Sequence, residues 1–133
     1  MRYLVTGGAG FIGSHLVELL LSENINEIII VDSLSTGKLS NLPHNSDKTN
    51  LIQGDVEDLD LFTLGKIDGV IHLAAQASVP LSIEEFRIST RSNISGSINV
   101  MDYCCRSHVP LVYASSSAVY GNLSLGNDTI GDV

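Results

Sequence analysis

Apolar residues along this chain alternate between two patterns. One is a short continuous run: YLVT at 3–6, EIIIVD at 27–32, NLIQGD at 50–55, IDGVIHLAA at 67–75 and VPLVYASSS at 109–117. Such runs, rich in β-branched residues, predict strands, and EIIIVD has the composition of a strand covered on both faces. The other pattern is helical. In FIGSHLVELLLSE, 11–23, the apolar positions Ile12, Leu16, Leu19 and Leu20 fall on one predicted face. A short helix is predicted over 56–62, and a long one from about Leu81 to Ser107, with Phe86, Ile94, Ile98, Met101 and Cys105 along it. The polar stretch 33–49, with Pro43, reads as a long surface loop, and 122–133 has turn residues without periodicity. Strands alternating with helices predict parallel strands joined by right-handed crossovers, hence an α/β doubly wound parallel sheet of the Rossmann type.

At 133 residues the chain is long enough for one domain with its own core. A net charge of −8 provides no basic field to displace counterions from a polyphosphate, which argues against a nucleic-acid partner. It leaves open a small phosphate-bearing ligand held by local backbone donors. No apolar run approaches the roughly 18 residues of a membrane span, and no signal-peptide core is visible, so no membrane partner is expected. Cys104 and Cys105 are adjacent, a poor arrangement for a disulfide. They read as reduced thiols rather than a redox pair, which points to the cytoplasm.

Between the first strand and first helix lies TGGAGFIG. Gly8, Gly10 and Gly13 satisfy G-x-G-x-x-G, while Gly7, Gly10 and Gly13 satisfy G-x-x-G-x-x-G. The early glycines permit a tight turn, Gly10 allows the backbone to approach a pyrophosphate, and Gly13 allows close packing of helix on strand. The helix N-terminus then offers N–H groups to the phosphates. Asp32 ends the second strand 19 residues after Gly13, about where an acid binding ribose hydroxyls is expected. The alternative is a tight turn with a loop-capping aspartate. A carboxylate there would repel a 2′-phosphate, favouring NAD over NADP, although Lys38 follows nearby.

Ligands of an open parallel sheet bind beyond the carboxyl ends of its strands. Asp55 could accept a hydrogen bond from an adenine amino group there, or serve as an N-cap for the segment beginning at Val56. Ala74, Ala75 and Ala77 leave room for a ribose and nicotinamide. His72 reads as a hydrogen-bonded core residue rather than a catalyst. The fifth predicted strand ends in Ser115, Ser116 and Ser117.

With VTGGAGFIGSHLVE, VDSLSTGK, GDVED, VIHLAAQASV, NISGSINV and YASSSAVYG in this order, the chain resembles the NAD-dependent epimerase/dehydratase family. This is the extended short-chain dehydrogenase/reductase group, and the likeness is greatest to its nucleotide-sugar 4-epimerases. The resemblance implies a function for each segment. Phe11 and Ile12 would lie at the pyrophosphate, with Asp32, Ser33, Leu34, Thr36 and Gly37 around the adenosine ribose. Asp55 and Val56 would meet the adenine, and Leu73, Ala74, Ala75 and Ala77 would line the middle of the cofactor. Ser92 or Asn93 would face it from the long helix.

The family's catalytic serine stands four residues before the tyrosine of VYG, which makes it Ser116 here. Its base is a tyrosine in a Tyr-x-x-x-Lys pair. Tyr3, Tyr103, Tyr113 and Tyr120 are instead followed at that spacing by Gly7, Ser107, Ser117 and Ser124. The resemblance therefore implies that residues 1–133 are the NAD-binding N-terminal part of a longer enzyme, inactive alone, without its substrate domain. It also implies a UDP-sugar substrate and a homodimer for the full-length enzyme. Dehydratases of the family carry Thr-Asp-Glu where this chain has Ser116, Ser117 and Ala118, which weighs toward an epimerase. The alternatives are another nucleotide-sugar dehydratase, decarboxylase or reductase, or a noncatalytic NAD-binding domain.

Overall fold

The computed structural model describes residues 1–23, 25–43 and 46–120. Among these, β1 (Arg2–Thr6), β2 (Glu27–Asp32), β3 (Thr49–Gln53), β4 (Gly69–His72) and β5 (Leu111–Tyr113) form one sheet. All neighbours are parallel, in the order β3-β2-β1-β4-β5. Helix α1 (Phe11–Ser22) joins β1 to β2. A series comprising α2 (Val79–Glu84), α3 (Phe86–Thr90), a π-helical turn (Arg91–Ser95) and α4 (Gly96–Ser107) joins β4 to β5. The chain leaves β1 toward β2 and β3, then returns to β1's other side for β4. This reversal opens the crevice where doubly wound sheets bind ligands.

The period-two geometry of a strand explains the layers. Val5, Ile28 and Ile30 pack beneath α1 with Val17 and Ile25. Leu4, Ile29 and Val31 point to the opposite face, against Val70, Val100, Tyr103 and Cys104. β2 is therefore buried on both faces, as its uninterrupted β-branched run implies. Cys104 and Cys105 are both free thiols, and burial raises the pKa of the Cys104 thiol.

Several boundaries differ from the sequence reading. β3 stops at Gln53, β4 at His72 and β5 at Tyr113, so the alanines and serines lie in connections beyond the sheet. The predicted helix over 56–62 is two 3-10 turns, Val56–Asp58 and Leu61–Leu64. The long helix begins at Val79 and breaks at Glu85, whose backbone leaves helical geometry (φ −119°, ψ 56°). Residues 122–133 lie outside the described part.

The helical faces also shift. In α1 the buried residues are Gly13, Ser14 and Val17, with Leu16, Leu20 and Leu21 partly buried against the same core, whereas Ile12 and Leu19 are exposed. Gly13 must face the glycine loop, and that contact sets the rotation of the helix. In α4 the buried residues are Gly96, Ser97, Val100, Tyr103 and Cys104. The apolar positions read along the long predicted helix, Phe86, Ile94, Ile98, Met101 and Cys105, are all exposed. Small and polar residues sit against the sheet because α4 closes over a polar strand end, described below.

These assignments predict a contrast. Leu4→Ala should lower unfolding free energy by about 3 kcal/mol, since Leu4 has no exposure. Leu19→Ala should change it by less than about 0.5 kcal/mol, since Leu19 is 60% exposed. Equal losses in urea titrations would show that the helix is rotated toward the face predicted from sequence.

Candidate functional site: the carboxyl edge of the sheet

Strand register brings the candidate residues to one level. Thr6 is opposite both Val31 and His72, His72 is opposite Tyr113, and Asp32 is opposite Gln53. Gly7, Leu73 and Ala114 therefore all step off the same edge.

The glycine loop is shaped by contacts no side chain could make. Gly7 has φ +70°, and a Cβ there would stand 2.7 Å from the Ala74 nitrogen. At Gly13 a Cβ would stand 2.1 Å from the Gly7 oxygen and 2.6 Å from the Gly8 Cα. Either substitution forces backbone to move, so helix and loop can meet only as glycines. The Gly7 amide donates to the Val31 carbonyl (2.8 Å) and the Gly10 amide to the Gly7 carbonyl (3.1 Å), closing the turn. Gly10 caps α1 without a side-chain bond, and the first turn holds no acid. The early amides of an α-helix lack intrahelical acceptors. A glycine cradle beneath such a terminus is the donor set a pyrophosphate requires, and it fits a dinucleotide. Phe11 and Ile12 open α1 with exposed side chains, 81% and 68%, beside this cradle.

Asp32 is buried, and its carboxylate organises the neighbourhood. One oxygen accepts from the Ala9 amide (2.8 Å), the other from the Leu34 amide (2.8 Å). The ribose and loop-capping readings are thus compatible, because each carboxylate oxygen can accept a further bond. Leu34 is held at φ +59°, a conformation costly for a leucine that the Asp32 contact supports. A Cβ at Gly37 would stand 2.8 Å from Asp32 Oδ1, so the segment after β2 lies tight against the acid. Ser33 bonds to Ser35, and Thr36 is exposed.

Asp55 is exposed at the N-cap of the turn Val56–Asp58, with no side-chain capping bond. Val56 is buried in the core, so only its backbone can face a ligand. Asn99 Nδ2 donates to the Val56 (2.7 Å) and Leu59 (2.8 Å) carbonyls. Arg91 sits against Asp58 (2.8 Å) and Glu57 (3.3 Å), offsetting part of the acidic turn's negative charge.

Beyond β4 and β5 opens a cleft of about 550 Å³. It gathers Leu73, Ala74, Ala75, Ala77, Asn93 and Ser116, with Tyr113 and Ser97 in its wall. Ser92 is half-buried and not part of the lining. Asn93 is bonded at both ends of its amide. Its Oδ1 accepts from the Gln76 amide (2.7 Å) and its Nδ2 donates to the Gln76 carbonyl (3.0 Å), fixing the alanine loop to the helix.

Under the cleft lies a buried polar chain. Thr6 Oγ1 accepts from the Leu73 and Ala74 amides (3.2 Å each) and lies 2.6 Å from His72 Nδ1. His72 Nε2 lies 3.2 Å from Ser97 Oγ, which donates to the Asn93 carbonyl (2.7 Å) and meets the Tyr113 hydroxyl (3.4 Å). The proton inventory selects one arrangement. The Leu73 amide is shared between Thr6 Oγ1 and the Thr6 carbonyl (3.1 Å). With the Ala74 amide also on Oγ1, the Thr6 hydrogen goes to Nδ1 and Nε2–H points at Ser97. A second proton on Nδ1 would compete with these amides for Thr6 Oγ1. His72 is thus a structural histidine in the neutral state, and burial lowers its pKa. Sequence reading missed Thr6 and Ser97. Their signal was positional: Thr6 ends β1 at the level of His72, and Ser97 shares α4's buried face with Val100.

Comparison with known proteins places these observations in context. Residues 3–131 match the model of the NAD dependent epimerase/dehydratase family. A dTDP-glucose 4,6-dehydratase of Mycolicibacterium smegmatis is 36% identical over 131 residues, covering 96% of this chain and 40% of its own length. A putative UDP-glucose 4-epimerase of Methanocaldococcus jannaschii is 40% identical, covering 89% of this chain and 39% of its own. Among solved structures, Thermus thermophilus UDP-glucose 4-epimerase in complex with NAD superposes with TM-score 0.82 at 39% identity. That alignment covers 96% of this chain and 42% of the other. The chain thus spans about 40% of the length of the curated relatives it matches.

The His72 chain predicts a pH dependence. The unfolded histidine takes up a proton near its ordinary value of 6.5, while the folded one resists it to lower pH. Between those values the unfolded state holds more protons, so the contribution is intact above about pH 6.5 and is lost as pH falls below it. Denaturation midpoints should therefore drop from about pH 7.5 to about 5.5 more in the wild type than in His72→Gln. Parallel curves for the two proteins would refute the neutral assignment.

Proposed function

Since the chain belongs to the NAD dependent epimerase/dehydratase family, we propose that it binds NAD and forms the cofactor half of a nucleotide-sugar 4-epimerase. The observation that carries the cofactor reading is the glycine cradle. Gly7 and Gly13 admit no side chain, and together they aim an uncapped helix terminus at the sheet edge. Bound there, NAD supplies a reversible hydride acceptor. In this reading the α1 terminus holds the pyrophosphate, and Asp32 accepts from the adenosine ribose while fixing Ala9 and Leu34. The small side chains of Ala74, Ala75 and Ala77 admit the nicotinamide half to the cleft. Ser116 holds the sugar hydroxyl and orients its proton toward the base. No tyrosine of these 133 residues has a lysine four positions on, so the base of this reading is not among them.

The UDP-sugar assignment draws on the names of the epimerase relatives. Epimerisation is supported by Ser116, Ser117 and Ala118, which replace the Thr-Asp-Glu of dehydratases. The dehydratase relative, similar over nearly the whole chain, supports the second reading, a 4,6-dehydratase.

Two experiments test these readings. In calorimetric titrations the chain should bind NAD at least about tenfold more tightly than NADP, and Asp32→Ala should weaken NAD by about tenfold or more. Unchanged NAD affinity in that variant would remove the ribose assignment. For the chemistry, residues 3–131 can replace the matching segment of the Methanocaldococcus jannaschii relative. The chimera should interconvert UDP-glucose and UDP-galactose, and Ser116→Ala within it should lower kcat by roughly a hundredfold. Formation of a 4-keto-6-deoxy sugar would favour the dehydratase, and full activity of the serine variant would remove Ser116 from the mechanism.

A further inference from the structure

The polar stretch after β2 reads in sequence as a passive surface loop, but it folds back onto the phosphate loop. Its far end is anchored by Leu42, which packs against the core beneath α1. Its near end is held by Asp32 through Leu34. Between them, Lys38 and Asn41 both reach Ala9. The Lys38 amide donates to the Ala9 carbonyl (3.1 Å), and Asn41 Nδ2 donates to the same oxygen (2.8 Å). The Asn41 amide in turn donates to the Lys38 carbonyl (3.0 Å), so the donors brace each other.

Ala9 has no exposure, and its amide is already taken by Asp32. Both polar atoms of this residue are therefore occupied by contacts from outside the glycine loop, the amide by Asp32 and the carbonyl by Lys38 and Asn41. The Ala9 carbonyl belongs to the planar peptide whose N–H is that of Gly10, and that N–H closes the turn onto Gly7. Fixing the carbonyl fixes the plane, and with it the direction in which α1 begins.

A pyrophosphate accepts hydrogen bonds and repels carbonyl oxygens, so a loop that cradles it must present amides and turn its carbonyls away. We infer that Asn41 is a positioning residue for the pyrophosphate of the bound dinucleotide. It holds the Ala9 carbonyl off the phosphate side through a contact that no glycine fingerprint contains. This rests on the NAD-binding reading above.

The test compares ligands with and without the pyrophosphate. Asn41→Asp would face the Ala9 carbonyl with a second acceptor and add negative charge one peptide from the phosphate loop. Asn41→Ala removes only the donor. Affinities for NAD and ADP are measured by calorimetry, the weaker binding of adenosine by saturation-transfer NMR, and folding by thermal circular dichroism. Asn41→Asp should weaken NAD and ADP by about tenfold and adenosine by less than about twofold, with Asn41→Ala weakening the two phosphates by about threefold. A residue that only stapled the loop would lower melting without this discrimination between ligands. If Asn41→Asp does not fold, Asn41→Ala decides. Wild-type affinity for NAD and ADP in the variants, or equal losses for adenosine, would overturn the inference while leaving the NAD reading intact. A wild-type chain that binds neither NAD nor ADP would instead refute the NAD reading, and this inference with it.

Discussion

How closely α1 can approach the end of β1 governs the whole carboxyl edge. At Gly13 there is room for a hydrogen and none for a carbon, since a Cβ would fall 2.1 Å from the Gly7 oxygen. That approach has three consequences. It aims the helix terminus across the loop, buries Ala9 completely, and brings the loop within reach of Asp32 at the end of the neighbouring strand. A helix standing off by the width of a methyl group would leave Asp32 as a buried carboxylate short of a donor, a costly arrangement in a low-dielectric setting. The steric contact and the electrostatic one are therefore a single constraint seen from two sides. It explains how a chain of net charge −8 can offer a polyanion a site built from backbone dipoles rather than from lysines.

The other half of the edge is held differently. Beyond β4, order comes from side chains: Thr6, His72, Ser97 and Tyr113 in series, and Asn93 reciprocally bonded to Gln76. α4 packs over these groups, turning Gly96 and Ser97 toward the sheet and leaving Ile98 and Met101 in solvent. A π-helical turn, Arg91–Ser95, lies where α3 passes into α4, and it carries Asn93 to the loop. Extra residues of this kind inside a helix often mark positions where a side chain is re-aimed for function.

Much of this was legible in the sequence, for identifiable reasons. The β2 run and the glycine spacing reflect constraints within a few residues, and both the sheet and the loop follow from them. The helix faces were misread because apolar periodicity reports where hydrophobic residues are, not which stripe the sheet accepts. In α1 the need to seat Gly13 overrode the stripe of Ile12 and Leu19, and in α4 the polar chain displaced Ile98 and Met101. Strand ends were placed up to four residues late, since small apolar residues such as Ala74 and Ala75 suit a strand and a connection equally. Asn41 and Ser97 were invisible because their partners, Ala9 and His72, are remote in sequence and met only through the fold.

The two halves of the edge also differ in how freely they can change. The glycine loop is fixed by excluded volume, since a side chain at Gly7 or Gly13 collides with backbone. The cleft includes short side chains on connections beyond the strands, where replacing Ala114 or Ser116 removes no strand residue of the sheet. A single scaffold can therefore keep its dinucleotide cradle while its cleft is rebuilt for different handling of a keto intermediate. That is the pattern expected if epimerases and dehydratases both stand within 36–40% identity of one chain. The proposed epimerase reading therefore turns on Ser116, Ser117 and Ala118 rather than on overall identity, which is similar for the two classes of relative.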